Sequence, residues 1–325
     1  MKGIYMRFVL LFICCLYSNM TYVHPPGLAN VGETCYANAM FQCLHNIPEL
    51  ASLIDYVKGV DPTLNAFNNV FGRMYDAMGS SIEQQFLRPQ WKTMCNTLDI
   101  RPGAGDTTEF LNKLMGALIY NIYTPQQKQT FEALFAKTDR QVLYYPAHQE
   151  NLSTQTVVNW PHVVRPSCQR KHVSLSQLLK DSYEPSAVEY RTNKYGTVEA
   201  EQRSTIFTLP KYLLIIVYPY GLLESAYGEK MGHVPQMYLL IEHISIPNNL
   251  VFTQDGRDYG IALVHPEAST EVAAYQLHSL AVHKGGQKGG HYWAYVCQDS
   301  AWWRCDDAWV VQQKPPEQWN LREAI

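Results

Sequence analysis

Three residue types that cooperate in nucleophilic catalysis occur in this chain, far apart, in the order cysteine, histidine, aspartate. Cys35 stands in Gly27-Leu-Ala-Asn30-Val-Gly32-Glu-Thr-Cys35-Tyr36-Ala-Asn38. A histidine follows in Val282-His283-Lys-Gly-Gly-Gln-Lys-Gly-Gly290-His291-Tyr292-Trp-Ala-Tyr295, and two acids in Trp302-Trp-Arg-Cys-Asp306-Asp307. A thiol is a strong nucleophile only as the thiolate. A histidine can take its proton, and a carboxylate can hold that histidine in the required tautomer. Cys35 and His291 are therefore the candidate nucleophile and base, and Asp306 or Asp307 the candidate orienting acid, since adjacent strand residues face opposite ways and only one can reach His291. His283 and His278 compete with His291. Asn30, five residues before the cysteine, can donate its amide to a developing oxyanion alongside N–H groups at a helix start.

These side chains need elements to hold them. Thr34 reads as an N-cap for a helix over Cys35–Leu44, with Ala37, Met40, Phe41 and Leu44 on its apolar face. A cysteine at a helix N-terminus feels the partial positive charge that favours a thiolate. Leu50–Val60, Asn65–Met78 and Ser81–Gln85 read as further helical pieces. Asp106–Leu118 is amphipathic, with Asp106 as N-cap and Glu109 at the capping-box position. From about Lys128 the pattern turns to strands. These are Gln141–Tyr145, Ser204–Thr208, Tyr212–Val217, Met237–Ile241, Ala274–Ala281, Tyr292–Gln298 and Trp302–Asp306, interrupted by a helical island at Ser174–Leu179. A helical first part and a β-rich second part define an α+β class. The cysteine falls in the first and the histidine in the second, so a cleft between them is the expected site.

Composition narrows the alternatives. In 325 residues the formal net charge is −3, which supplies no basic field for nucleic acid. The 22 tyrosines point to packed interior and contact surface rather than disorder. None of the eight cysteines forms a C-x-x-C pair, the usual sign of a structural zinc, and they are too sparse for a disulfide scaffold. Most read as buried thiols. Residues 1–24 carry two positive charges and then an apolar run, Phe8–Tyr17, of signal-peptide length and too short to span a bilayer comfortably. Export, membrane association and a strand packed on the domain are all open readings of that segment.

The cysteine and histidine segments resemble those of the ubiquitin-specific proteases, papain-like cysteine peptidases that remove ubiquitin. The resemblance runs from Gly27 to about Val310. It is supported by Leu209-Pro210-Lys-Tyr-Leu213 before an apolar strand and by Ser174-Leu175-Ser-Gln-Leu178-Leu179. It implies a helical thumb, a β-rich palm and reduced fingers in one catalytic domain over 25–325. It also implies a cytoplasmic setting, ubiquitin or ubiquitinated proteins as partner, and no cofactor or metal. By the same resemblance Asp306 is the orienting acid and Asp307 a secondary acid, and Asp106 receives an arginine of the ubiquitin tail, with Glu109 and Phe110 at matching positions. His283 lines the approach, and Gly289, Gly290 and Tyr292 form a narrow channel that admits a diglycine end.

Departures from the family pattern raise rivals. Where the family has Leu-Lys-Arg-Phe this chain has Val217-Tyr218-Pro219-Tyr220, losing two positive charges where ubiquitin's body is contacted. That favours considering a ubiquitin-like modifier, of the interferon-induced or Nedd8 type. Glu33 places an anion near the thiolate, opposing it if close. An inactive ubiquitin-binding module and an exported thiol hydrolase are the remaining alternatives.

Overall fold

Among the described residues the helices are, in chain order, α1 (Cys35–His45), α2 (Pro48–Tyr56), α3 (Pro62–Asp76), α4 (Gln84–Thr97), α5 (Thr107–Tyr120), α6 (Pro125–Phe135) and α7 (Leu175–Asp181). The strands begin with β1 (Tyr5–Cys14), β2 (Gly27–Leu28), β3 (Ser81–Ile82), β4 (Lys137–Tyr145), β5 (Glu150–Asn159), β6 (His162–Val164) and β7 (Arg170–Ser174). They continue as β8 (Ser186–Thr192), β9 (Gly196–Thr208), β10 (Tyr212–Val217), β11 (Tyr220–Leu222), β12 (Met237–Leu239) and β13 (Ile241–Ser245). Last come β14 (Asn249–Thr253), β15 (Ile261–Ala262), β16 (Val272–Gly286), β17 (Gly289–Gln298), β18 (Ala301–Asp306), β19 (Trp309–Gln312) and β20 (Gln318–Asn320). This computed structural model describes residues 5–14, 24–45, 47–56, 61–101, 105–121, 124–166, 168–218, 220–222, 237–239, 241–254, 261–264, 272–286 and 289–321. Cys15, Pro219, segment 57–60 of one expected helix and most of 1–24 outside β1 lie outside the described residues.

Local chemistry accounts for the helix starts. Asp61 and Asp106 cap α3 and α5, each accepting two backbone N–H bonds through Oδ1. Thr34 behaves differently from its expected role. Its carbonyl accepts the first helical bond of α1, from Asn38 N at 2.9 Å, but its hydroxyl turns back to accept from Val31 N at 3.1 Å.

Three sequence expectations are corrected. Ser81 and Ile82 are strand, not helix, because they pair in parallel with Gly27 and Leu28. The helix there is α4, which contains Pro89 in its interior and so escapes a reading that treats proline as a breaker. The shift to strands comes at Lys137 rather than about Lys128, since α6 intervenes. Its start was legible: Gln127 N donates to Thr124 Oγ1 and Thr124 N to Gln127 Oε1, a reciprocal cap with Pro125 as first helical residue.

The chain divides into two compact units. One holds Met1–Phe12, Leu16–Leu134 and Leu277–Ile325; the other holds Ile13–Cys15 and Phe135–Gln276. In the first, all eleven residues of α1 are buried. Phe41 stacks on Phe67 at 5.0 Å and meets Phe110 at 5.8 Å, which ties α1 to α3 and α5. The other side of α1 packs on β17. β16 from Leu277 onward, β17, β18 and β19 form an antiparallel ladder, with Ala281 opposite Ala294, Ala294 opposite Cys305 and Cys305 opposite Val310. A helix buried on every side must carry apolar residues all round, and its polar exceptions therefore need specific partners.

In the second unit β10 is buried along its whole length and pairs in parallel with β6. β5, β4, β9 and β8 form a four-stranded antiparallel sheet, the segment expected to be the fingers. At its hairpin ends Tyr145, His148 and Tyr195 cluster, with His148 and Tyr195 stacked at 4.6 Å. Among the described residues no helix is long and apolar enough to cross a membrane.

Candidate active site

The first compact unit brings together every candidate catalytic residue. Cys35 opens α1, His291 lies on β17 and Asp306 ends β18. As expected, the cysteine lies on a helix and the histidine on a strand of the β-rich part, and both fall within one compact unit. The last strands of the chain return to pack on the cysteine's own helix, so nucleophile and base share one body.

His291 Nε2 meets Asp306 Oδ1 at 2.5 Å, and the Cys35 thiol lies near enough to the ring to act on its protonation. The hydrogen bond to Asp306 first, and the nearby Cys35 second, raise the His291 pKa to about 10 against the opposing effect of burial. Burial disfavours the charge of Asp306, but the hydrogen bond and charge of His291, with Arg304, outweigh it and hold the carboxyl below its ordinary value. Other cysteines contrast with this. Burial pushes the Cys43 thiol, on the same helix, up to about 12, and burial likewise pushes Cys305 up. Those thiols are inert packing groups.

Asp307 sits in the turn after β18 with a φ of 52°. The turn, rather than strand pleating, separates the two acids. Both oxygens of Asp307 are engaged: Oδ1 accepts from Asn38 Nδ2 at 2.8 Å and Oδ2 from Asn30 Nδ2 at 2.9 Å. At its other end Asn30 Oδ1 accepts from the N–H groups of Gly32 and Thr34, both at 3.1 Å. The Asn30 amide is therefore fixed from both sides, with one proton on Asp307 and a second still to give. The turn it organises needs Gly32 at φ 110° and places Glu33 at φ 56°, exposed to solvent.

Around the approach, Gly285 and Gly290 face each other across β16 and β17. A Cβ on Gly290 would lie 2.3 Å from His283 Nε2, and one on Gly285 would lie 2.2 Å from Gly290 Cα. His283 is buried and stacks on Tyr292 at 4.3 Å. Tyr292 donates its hydroxyl to Asp106 Oδ2 at 3.3 Å, joining the start of α5 to β17. Asp106 is thus both helix cap and a wall of this approach. Glu109 is exposed and pairs with Lys113 at 3.0 Å. His278, the other competitor, is half-buried on β16 and is not the histidine bonded to Asp306.

Sequence reasoning missed Asn38 and Arg304. Asn38 is a buried polar residue on α1 that also donates to Leu28 O at 3.1 Å. Its signal was its placement: Asn38 and Gln42, four apart, are polar positions in an otherwise apolar helix. Arg304 precedes Asp306 by two on a strand, so the two share a face.

With this geometry in view, the comparison with known proteins is decisive. Residues 26–324 match the family described as ubiquitin carboxyl-terminal hydrolase. The chain belongs to that family. Ubiquitin carboxyl-terminal hydrolase 6 of Arabidopsis thaliana is 23% identical over 346 aligned positions, covering 85% of this chain and 70% of the relative. Ubiquitin carboxyl-terminal hydrolase 34 of Mus musculus is 26% identical over 83% of this chain, which spans 8% of that relative's length. The fold is similar to that in a solved structure of the SAGA Ubp8/Sgf11/Sus1/Sgf73 DUB module bound to ubiquitin aldehyde. There the TM-score is 0.66 at 17% identity, over 89% of this chain and 66% of that one. Membership of that family makes the chain a cysteine-type deubiquitinase.

Proposed function

We propose that this hydrolase cleaves the peptide or isopeptide bond after the C-terminal glycine of ubiquitin, with Cys35, His291 and Asp306 as its triad. The observation that carries the reading is one imidazole hydrogen-bonded to a carboxylate and set beside a thiol that opens a helix of the same compact unit. His291 takes the Cys35 proton, and the thiolate attacks the scissile carbonyl. The oxyanion is met by the free proton of the Asn30 amide and by N–H groups at the start of α1. Asp307 positions that amide through Oδ2. His291 then passes its proton to the leaving amine, and water attacks the thioester with His291 as base. Asp106 receives a cationic side chain of the ubiquitin tail through the oxygen that Tyr292 also contacts. Gly290, His283 and Tyr292 bound a channel too narrow for side chains, which selects a diglycine end.

Ubiquitin bearing a C-terminal thiol-reactive electrophile tests this. Wild type gains the mass of one ubiquitin, and Cys35→Ala gains none. If folded wild type stays unmodified, the ubiquitin reading is lost. Labelling instead by a ubiquitin-like modifier with the same electrophile would move the substrate to that class, the alternative that Val217-Tyr218-Pro219-Tyr220 motivates.

A further inference from the structure

Asp306 stands in an electrostatically awkward place. It ends a strand, and atoms of His291, Asp306 and Asp307 capable of ligating a metal lie within 4.8 Å of one another. Two adjacent carboxylates repel, and Asp307 is already fixed by Asn30 and Asn38. Asp306 would relieve the repulsion by swinging away from His291 unless something else held it.

Arg304 occupies that role geometrically. Its Nη2 donates to Asp306 Oδ2 at 2.8 Å, while Oδ1 serves His291. The guanidinium in turn lies over two indoles, with Cζ 5.1 Å from the Trp293 ring centre and 5.6 Å from that of Trp309. The register explains the arrangement. Arg304 is opposite Tyr295 on β17, and Asp306 is opposite Trp309 on β19, so the aromatic rings flank the Arg304–Asp306 pair. Trp309 is 54% exposed, an uneconomical place for an indole unless its covered face has a specific partner. An arginine on a free surface samples many rotamers; between two rings it is confined.

We propose that Arg304, clamped between Trp293 and Trp309, is a positioning residue that fixes Asp306 against His291. The inference deepens the triad assignment above and rests on it. The aromatic rings orient the guanidinium, the guanidinium orients the carboxylate, and the carboxylate orients the imidazole. The charge of Arg304 also offsets the two neighbouring acids.

The test uses the full chain with Arg304→Met, Arg304→Lys and Trp309→Ala, and two readouts. Turnover of ubiquitin carrying a C-terminal fluorogenic amide should show kcat reduced about tenfold in Arg304→Met with KM within about twofold, as expected for misorientation rather than lost binding. Arg304→Lys should recover part of the loss, and Trp309→Ala should show a smaller loss. The low-field proton resonance of the His291–Asp306 hydrogen bond is the second readout, and it needs no substrate. It should be sharp in wild type and broadened in Arg304→Met and Trp309→Ala, at unchanged far-UV circular dichroism. Wild-type kcat together with a wild-type resonance in Arg304→Met overturns the proposal. So does a Trp309→Ala variant that raises KM alone, which would make Trp309 a substrate contact. Should Arg304→Met not fold, Arg304→Lys and Trp309→Ala decide the matter by the same two readouts. If wild type did not turn over ubiquitin at all, the substrate reading would fail while the resonance series still judged the clamp.

Discussion

Two charged clusters in this chain are built from similar parts and do opposite things. In the first compact unit His291 and Asp306 are joined at 2.5 Å with side chains 45% and 20% exposed. In the second, Lys137 and Asp139 are joined at 2.6 Å with side chains 3% and 7% exposed. The buried cluster is closed. Asp139 Oδ1 accepts from Lys137 and from Tyr183 at 2.8 Å, and Oδ2 from Lys137 and from Asn159 at 2.7 Å. Lys137 also bonds the Tyr183 hydroxyl. Burial pushes the Lys137 pKa down, and the Asp139 carboxylate restores only part of it. At the His291–Asp306 cluster one side of the imidazole is left to face the Cys35 thiol. A polar network with every valence taken stabilises one arrangement; chemistry requires a network with one valence left for the substrate.

That contrast can be broken most forcefully at Asp306. Asp306→Asn leaves the shape but removes the charge and offers His291 the wrong hydrogen-bonding group, and should cost about 10²–10⁴ in kcat at unchanged melting temperature. The pH profile should move with it. His291 holds its proton up to about pH 10 in wild type, chiefly through Asp306, so the basic limb should fall toward the ordinary histidine range in the variant. Asp307→Asn should give a milder loss, about tenfold to a hundredfold, because it loosens the Asn30 amide and leaves the imidazole alone. If the two variants exchanged these effects, the roles assigned to the adjacent acids would be reversed.

At the buried cluster the expected signature is the inverse. Lys137→Met strands a buried carboxylate and should cost about 3–5 kcal/mol of stability, read from denaturant unfolding, with kcat of the remaining folded protein unchanged. Lys137→Met with Asp139→Leu should regain most of that loss. A kcat effect in the folded single variant would mean that this cluster communicates with the site.

The smallest effect expected concerns His45, buried between Phe71 and Tyr75, whose pKa burial lowers to about 4. An unfolded chain binds this proton from about pH 6.5 downward and the folded one does not. Stability contributed by neutral His45 is therefore intact above about pH 6.5 and declines as pH falls toward 4, by about 1 kcal/mol per pH unit. His45→Phe should flatten that part of the stability profile, measured by melting between pH 4 and 7, while leaving the activity limb near pH 10 in place.

The sequence by itself determined the candidate reactive groups and the helix on which the candidate thiol sits. The Cys35 and His291 segments are dense in glycines, asparagines and aromatics whose roles are local: Gly32 permits a turn, α1 starts where its apolar periodicity starts, and Asp106 caps α5 through bonds two and three residues away. Short-range physics of this kind can be read along the chain. Tertiary structure alone gave the second acid, Asp307, its partners. Asn30 reaches Asp307 across 277 positions and Asn38 reaches it across 269, and those amides occupy the second carboxylate and leave the first for His291. It likewise made Ser81 and Ile82 a strand, since an edge paired with Gly27 and Leu28 outweighs local preference. The Trp293–Arg304–Trp309 stack depends on the register of three strands, and a one-residue slip would turn its members to the opposite face. Residue type sets what a side chain can do, and the long-range pairing sets which neighbour it does it with.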